Sequence, residues 1–410
     1  MKKKLRLFEG YGIELEYMIV DKDTLMVKPI CDQVIEALSG KIKNEVSLGR
    51  VNVSNELVLH VLELKGNGPQ KDLVRLRDSM QKQLLRIDRL MQERWDSFFL
   101  PTAMHPLMNP LKETRLWPHG QNEIYESYDR IFGCKGHGWS NLQSIHINLP
   151  FSGDDEFGRL HAAIRIALPL LPSISASSPY VEGSGTGILD NRLDFYSRNQ
   201  KRIPSIIGSI IPEKAFTKSE YEKVILEPIY RDIADDDPDG ILQDEWINSR
   251  GAIARFERNA IEIRVVDIQE SLRADFALIA LIVSLIESLV DETWISYESQ
   301  REFDEFRLRE VFMGSIMEGP SYLLRDRSLL ECFGCHEPVK MGDLWIRLRE
   351  HLLNEHYEVI HFEEESEKLV SRGALSSLLI QKLGKTPCEN RLKAEFMNLR
   401  KCLVDSQIYS

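Results

Sequence analysis

The sequence predicts an α+β fold built on a mainly antiparallel sheet. Three observations carry that expectation: alternating segments at residues 10–20, 144–150 and 255–267, a helix of unbroken three-and-four period at residues 71–95, and helical patterning from Arg273 intermittently to Leu403. Strands scattered between long segments and followed by a helical tail belong to that class. No repeat period or low-complexity tract interrupts the chain. Hydrophobic residues make up 43% and charged residues 28% of the 410, ordinary globular usage that excludes a disordered or fibrous protein.

Gly10–Val20 alternates and is partly β-branched, which makes a strand. Leu57–Leu64, closed by Gly66, Gly68 and Pro69, reads as its partner. From Lys71 to Trp95 the residues Leu73, Leu76, Met80, Leu84, Ile87 and Met91 line one helical face. Pro101 to Gly120 carries Pro101, Pro106, Pro110, Pro118 and Gly120, a loop crossing toward a site or a lid. Ser144–Pro150 alternates strictly, with Ser144, His146 and Asn148 on one face. Phe157–Leu171 is a helix stopped by Pro169 and Pro172, Gly183–Gly208 is irregular, and Arg255–Asp267 returns to strand. The run Phe276–Val290 falls short of the roughly 20 apolar residues of a membrane span and contains Glu287, so it reads as a buried helix.

With 52 Lys+Arg against 64 Asp+Glu the net charge is −12, which argues against a nucleic-acid partner. The start Met1-Lys-Lys-Lys-Leu-Arg resembles a signal peptide, but Glu9, Glu14 and Glu16 interrupt any apolar region, and the expectation is a cytoplasmic protein with no membrane partner. Six cysteines, at 31, 134, 332, 335, 388 and 402, are too sparse for a disulfide framework.

The chemistry concentrates in acids on strands. Glu14 and Glu16 leave the same strand face about 7 Å apart, and two such anions repel unless something compensates them. Glu63, His146 and Glu262 each stand where a buried strand would place Val or Leu. Carboxylates with one imidazole form a cage for hard divalent cations, and Mg²⁺ in turn holds phosphates. A set of half-buried strands with polar faces to water is an equally good reading of the residues alone. Glu56 and Glu63 are opposite in parity, so a bulge or turn near Asn55 must intervene if both face one site.

Gly12-Ile-Glu-Leu-Glu16, Asn55-Glu-Leu-Val-Leu-His-Val-Leu-Glu63, Ser144-Ile-His-Ile-Asn-Leu-Pro150, Ser175-Ala-Ser-Ser-Pro179 with Thr186-Gly-Ile-Leu-Asp-Asn-Arg192, and Ala260-Ile-Glu-Ile-Arg264 together resemble the glutamate–cysteine ligase type 2 family. That family includes carboxylate-amine ligases and belongs with the glutamine synthetase-like fold. The resemblance implies a curved antiparallel sheet forming a funnel with flanking helices, a ligase-like catalytic domain over residues 1–295, and a helical part over 296–410 packed on the same domain. It implies ATP and Mg²⁺, with Mn²⁺ as an alternative, and Glu14, Glu16, Glu56, Glu63, His146 and Glu262 as the metal set. Arg264 and Arg192 are the implied catalytic residues and, with Asn199 and Gln200, the implied nucleotide or substrate contacts; Arg202 is a weaker candidate. The implied reaction is amide formation of γ-glutamyl type through an acyl phosphate, with glutamate the favoured acid and cysteine one acceptor. Met104, His105 and Trp117 are candidate acceptor contacts, or simple packing. Small amino acids are the implied partners, and a homo-oligomer is left open.

Three rival functions remain: a metal-dependent hydrolase using the same Glu/His cluster, a non-catalytic nucleotide- or amino-acid-binding relative, and, behind these, a phosphotransferase to a guanidine on a related sheet. Other signals fall away. Cys332-Phe-Gly-Cys-His336 matches a haem attachment pattern that belongs to exported proteins. Asp235, Asp237, Asp239 and Gly240 open like a calcium loop, but Trp246 stands where a bidentate Glu is required. Glu363, Glu364, Glu365 and Glu367 read as a solvated face, and no phosphate-binding glycine loop precedes a helix.

Overall fold

The computed structural model describes residues 4–410; the first three residues of the basic N-terminal stretch lie outside it. Its centre is an antiparallel sheet of eight strands: β1 (Gly12–Asp21), β2 (Glu45–Ser47), β3 (Val51–Asn55), β4 (Val61–Gly66), β5 (Ser97–Leu100), β6 (Ser144–Pro150), β7 (Ala252–Arg255) and β8 (Ala260–Asp267). The order is β2-β3-β4-β1-β6-β8-β7. β1 is bonded along both edges. β4 takes Glu14–Met18 on one, while β6 takes Gly12–Leu15 and β5 takes Met18–Asp21 on the other.

Alternation divides the sheet into an apolar and a polar face. Ile13, Leu15 and Tyr17 of β1, Leu62 and Leu64 of β4, Ile145, Ile147 and Leu149 of β6, and Ile261 and Ile263 of β8 are all buried on one side. Each such side chain contributes about 1.5–3 kcal/mol relative to exposure, so a one-residue slip, which would turn the whole set outward, is strongly opposed. The principal helices are α1 (Cys31–Ser39), α2 (Leu73–Trp95), α3 (Asn122–Phe132), α4 (Gly153–Ala167), α5 (Asn191–Tyr196), α6 (Leu272–Val290), α7 (Met341–Glu355), α8 (Glu363–Arg372) and α9 (Glu389–Asp405). α2 packs on β4, β5 and α6 through the six apolar residues its period predicts. Asp72 starts it by accepting the Arg75 N–H at 2.8 Å. α6 is buried except at Arg273 and Glu287, and α4, α7 and α8 pack around it. Among the described residues no helix is long and apolar enough to cross a membrane.

The α+β reading and its antiparallel sheet stand, with local differences. Leu57–Leu64 is not one strand: Leu57–His60 turn the chain and β4 begins at Val61, pairing with a strand, β3, that the sequence pattern did not show. Within residues 101–120 the first part is packed against the body of the protein, as a loop crossing would be. Pro101–Pro106 are buried, and the Ala103 N–H donates to Ser177 Oγ at 3.0 Å. The stretch 183–208 is not irregular throughout, since it contains α5. The acidic turn at 235–240 closes on itself, with buried Asp237 accepting the N–H groups of Ile241 and Leu242. Cys332 and Cys335 are buried free thiols.

His60, in the turn before β4, is fully buried and donates from Nε2 to the Ser140 carbonyl at 2.8 Å. Burial lowers its pKa from 6.5 to about 4. The unfolded chain therefore binds a proton that the folded chain refuses, and stability falls as pH drops through this window at about 1.4 kcal/mol per pH unit. The stability deficit of His60→Asn relative to the parent should shrink at that rate from about pH 6.5 to about 4.5. Urea midpoints across the range measure it, and a deficit independent of pH would contradict the neutral buried imidazole.

Candidate active site

The polar face of the sheet is where the acids meet. Register sets Glu14 opposite Lys65 on β4 and His146 on β6, Glu16 opposite Glu63, and Glu262 opposite Asn148. Gly12 faces Asn148, and a Cβ at Gly12 would come within 2.9 Å of the Asn148 Cβ; glycine is what lets Asn148 lie flat and donate to Glu14 at 3.3 Å. Glu56 arrives from the turn after β3, which resolves its parity conflict with Glu63 without a bulge.

A bulge does act elsewhere. Ile263 pairs with Ile147 and Val266 with Ile145, so β8 spends three steps where β6 spends two. The extra residue turns Asp267, opposite Ser144, onto the same face as Glu262. There Asp267, completely buried, pairs with Arg192 Nε and accepts the Ser177 N–H at 2.8 Å.

Each acid is held. Glu14 lies 3.4 Å from His146 Nδ1; Glu16 accepts the Ser144 N–H at 2.7 Å and its Oγ–H at 2.9 Å. Glu63 accepts Ser54 Oγ–H at 2.5 Å and pairs with Lys65 Nζ at 3.0 Å. Glu262 pairs with Arg264 at 3.1 Å and with Arg255 at 3.5 Å. Burial alone would raise Glu14, but its hydrogen bond and attraction to His146 bring it down to about 2. Burial and the Glu14 charge push Glu63 up to about 7, and burial with the Glu16 and Glu63 charges holds Glu56 well above the usual carboxylate range. Burial works against charge on His146, yet Glu14, Glu16 and Glu262 raise it to about 9. Without a cation, then, the cluster keeps protons to limit its own repulsion.

These groups line a cavity of about 480 Å³, within the range of small-molecule sites. Arg192, Arg255, Arg258 and Arg264 also line it, as do Tyr128, Trp139 and Trp246, with Tyr128 packed against Trp139 at 5.2 Å and Trp246 at 5.9 Å. Glu14, Glu63 and His146 each offer one ligand atom, all within 4.8 Å of one another. Two carboxylate oxygens and an imidazole nitrogen fit Mg²⁺ or Mn²⁺.

The profile of the glutamate–cysteine ligase family 2 matches residues 11–311. The chain belongs to that family. An uncharacterised protein of Archaeoglobus fulgidus is 38% identical over 281 residues, 68% of this chain and 75% of that one. A protein provisionally named glutamate–cysteine ligase 2 in Corynebacterium glutamicum is 26% identical over 288 residues, 67% of this chain and 66% of that one. The structure of a glutamate–cysteine ligase from Francisella tularensis in complex with AMP superposes with a TM-score of 0.58 over 98% of this chain and 90% of that one; at 12% identity the likeness is one of fold.

In this glutamate–cysteine ligase family 2 chain the structure brings Glu14, Glu16, Glu56, Glu63, His146, Glu262, Arg264, Arg192, Asn199 and Gln200 to one cavity. Their states differ from a set of free side chains. Arg264 is already paired with Glu262. Arg192 sits on α5 rather than in a loop and is committed to Asp267, leaving its buried Nη2 without a partner. Asn199 donates to the Gly138 carbonyl, and Gln200 donates to Ser249 Oγ at 3.0 Å while its Oε1 is unpartnered. Arg202 points away to Asp236. Met104, His105 and Trp117 are buried outside the cavity; His105 donates to the Leu25 carbonyl. Lys65, Asp267, Tyr125 and Tyr128 were not singled out in the sequence. Lys65 was legible, since it shares strand parity with Glu63; Asp267 was hidden by the bulge.

Gly12→Ala should cost about 1–3 kcal/mol by overpacking against Asn148. Gly10→Ala, whose nearest neighbours stand at an ordinary 3.4 Å, should be close to neutral. Denaturant midpoints for the pair check this, and equal midpoints would refute the close approach.

Proposed function

We propose that the protein is an ATP-dependent carboxylate–amine ligase that forms a γ-glutamyl-type amide through an acyl phosphate. The observation that supports this reading best is the convergence of four carboxylates and His146 from one sheet face, with Glu56 from the adjoining turn, and of arginines in one cavity, in a chain of this family. Glu14, Glu16, Glu56, Glu63, His146 and Glu262 would hold Mg²⁺ or Mn²⁺. When bound, the ion neutralises charge on phosphoryl oxygens.

The chain's own residues account for the rest. Arg264, paired with Glu262, would offset charge on a transferring phosphoryl group, and Arg192, which lines the cavity, keeps a buried Nη2 without a hydrogen-bond partner. Asn199 and Gln200 contribute amide groups for nucleotide or substrate. The γ-phosphoryl group of ATP passes to the acid's carboxylate, giving ADP and an acyl phosphate; an amine then attacks the carbonyl carbon, loses a proton, and inorganic phosphate leaves. Glutamate is the proposed acid and cysteine one candidate amine. On this reading residues 1–295 carry the catalysis, 296–410 support it as helices on the same domain, and the protein works on small amino acids in the cytoplasm.

The first test is ADP release from purified protein with ATP and Mg²⁺ across single amino acids and pairs, with hydroxylamine as the trap. Glutamate alone should give hydroxamate, and the amine that accelerates ADP release names the acceptor. If no acid stimulates ADP release and hydroxamate never forms, the ligase reading is lost. Glu16→Gln and Glu262→Gln should each lower kcat/KM by two or more orders of magnitude, about 2.7 kcal/mol or more, while circular dichroism stays parental. Parental turnover in either variant would remove that residue from the metal set.

A further inference from the structure

Lys65 is the one ammonium that reaches into the acidic cluster among the residues lining the cavity. It leaves β4 directly opposite Glu14 and on the same face as Glu63. Its Nζ lies 3.0 Å from Glu63 Oε2 and 2.9 Å from Glu45 Oε2. Glu45 is kept in place by Asn52, which donates to its Oε1 at 2.8 Å. The same Glu63 oxygen also takes the Ser54 hydroxyl. That oxygen therefore already has two partners, the Glu63 and Glu14 carboxyl groups are hydrogen-bonded to each other, and Glu63, Glu14 and His146 each offer one atom to a shared ion. Two carboxylates paired with one ammonium, with Glu14 opposite on the neighbouring strand, is an environment a divalent ion could occupy were the lysine apolar.

We propose that Lys65 is a resident cation of the acidic face: its ammonium takes a position that a divalent ion would otherwise fill, and makes Glu63 a one-oxygen ligand of the ion held with Glu14 and His146. Lys65 is thus a positioning residue that sets how many ions bind and how tightly, a role that rests on the metal reading given above.

The experiment counts Mn²⁺ bound to the full-length protein, by the loss of free Mn²⁺ paramagnetic signal and by calorimetry, without ATP or amino acids. Lys65→Met should bind one more Mn²⁺ per chain than the parent, or bind its tightest ion about tenfold more strongly, the scale on which partners of metal ligands act. Lys65→Arg, which keeps the charge, should keep the parental count. Glu45→Gln works in the opposite direction and serves also if Lys65→Met does not fold. With its outer partner neutral, Lys65 competes harder for Glu63, and Mn²⁺ affinity should fall about tenfold although Glu45 is no ligand. A Lys65→Met protein with parental count and affinity, or with fewer ions, overturns the proposal, as does an unchanged Glu45→Gln. A parent protein that binds no Mn²⁺ overturns the metal reading first and this inference with it, so the two failures are distinguishable.

Discussion

Mutual repulsion of carboxylates on one sheet face is the constraint from which most of the site follows. Two unit charges about 4 Å apart interact by about 4 kcal/mol at an effective dielectric of about 20, a large share of the about 5–15 kcal/mol by which a domain is stable. Five such groups cannot be left to themselves. The chain answers with Lys65 beside Glu63, Arg264 and Arg255 beside Glu262, Ser144 donating twice to Glu16, and His146 charged among three acids. Where these do not suffice, at Glu56 and Glu63, protons stay on. A cation entering a cavity organised this way would relieve repulsion already present.

Such a face holds its geometry only if the sheet behind it cannot yield. The opposite face is a continuous apolar layer covered by α2 and by α6, whose side chains are buried almost all round. Helices from the C-terminal part then cover α6. The helical tail thereby supports the acids at one remove, through the helix that lies behind the sheet.

What could be read from the residues beforehand followed the physics of period two. Glu14 with Glu16, and His146 with Asn148, were legible because β1 and β6 alternate without interruption, and the family motifs placed Glu56 and Glu262 beside them. α2 was legible because its six apolar residues keep one helical face. Glu56's parity conflict signalled a turn, and one lies there, but β3 before it stayed hidden: Val51–Asn55 is short and carries Asn and Ser on its polar side. Asp267 was illegible for a different reason, since the bulge at Arg264 and Val265 switches its face and no local pattern announces it. The prolines of residues 101–120 read as a loop crossing toward a site or a lid; the burial of its first part, Pro101–Pro106, is a tertiary effect that composition cannot express.

β1 has partners on both edges, and these become available at different times. β4 follows within some fifty residues, whereas Ser144, the β6 residue that holds Glu16, lies 128 residues further along the chain. At a synthesis rate of about 5–20 residues per second, the Gly12–Leu15 part of that edge, which β6 alone pairs, waits roughly 6 to 26 seconds on the ribosome with its N–H and C=O groups unpaired. Over that interval the edge lies open to any other strand. Glu14 and Glu16, placed along that strand for the site, also make it a charged and unwelcoming template, so the groups that assemble the cavity protect the nascent chain that is to build it.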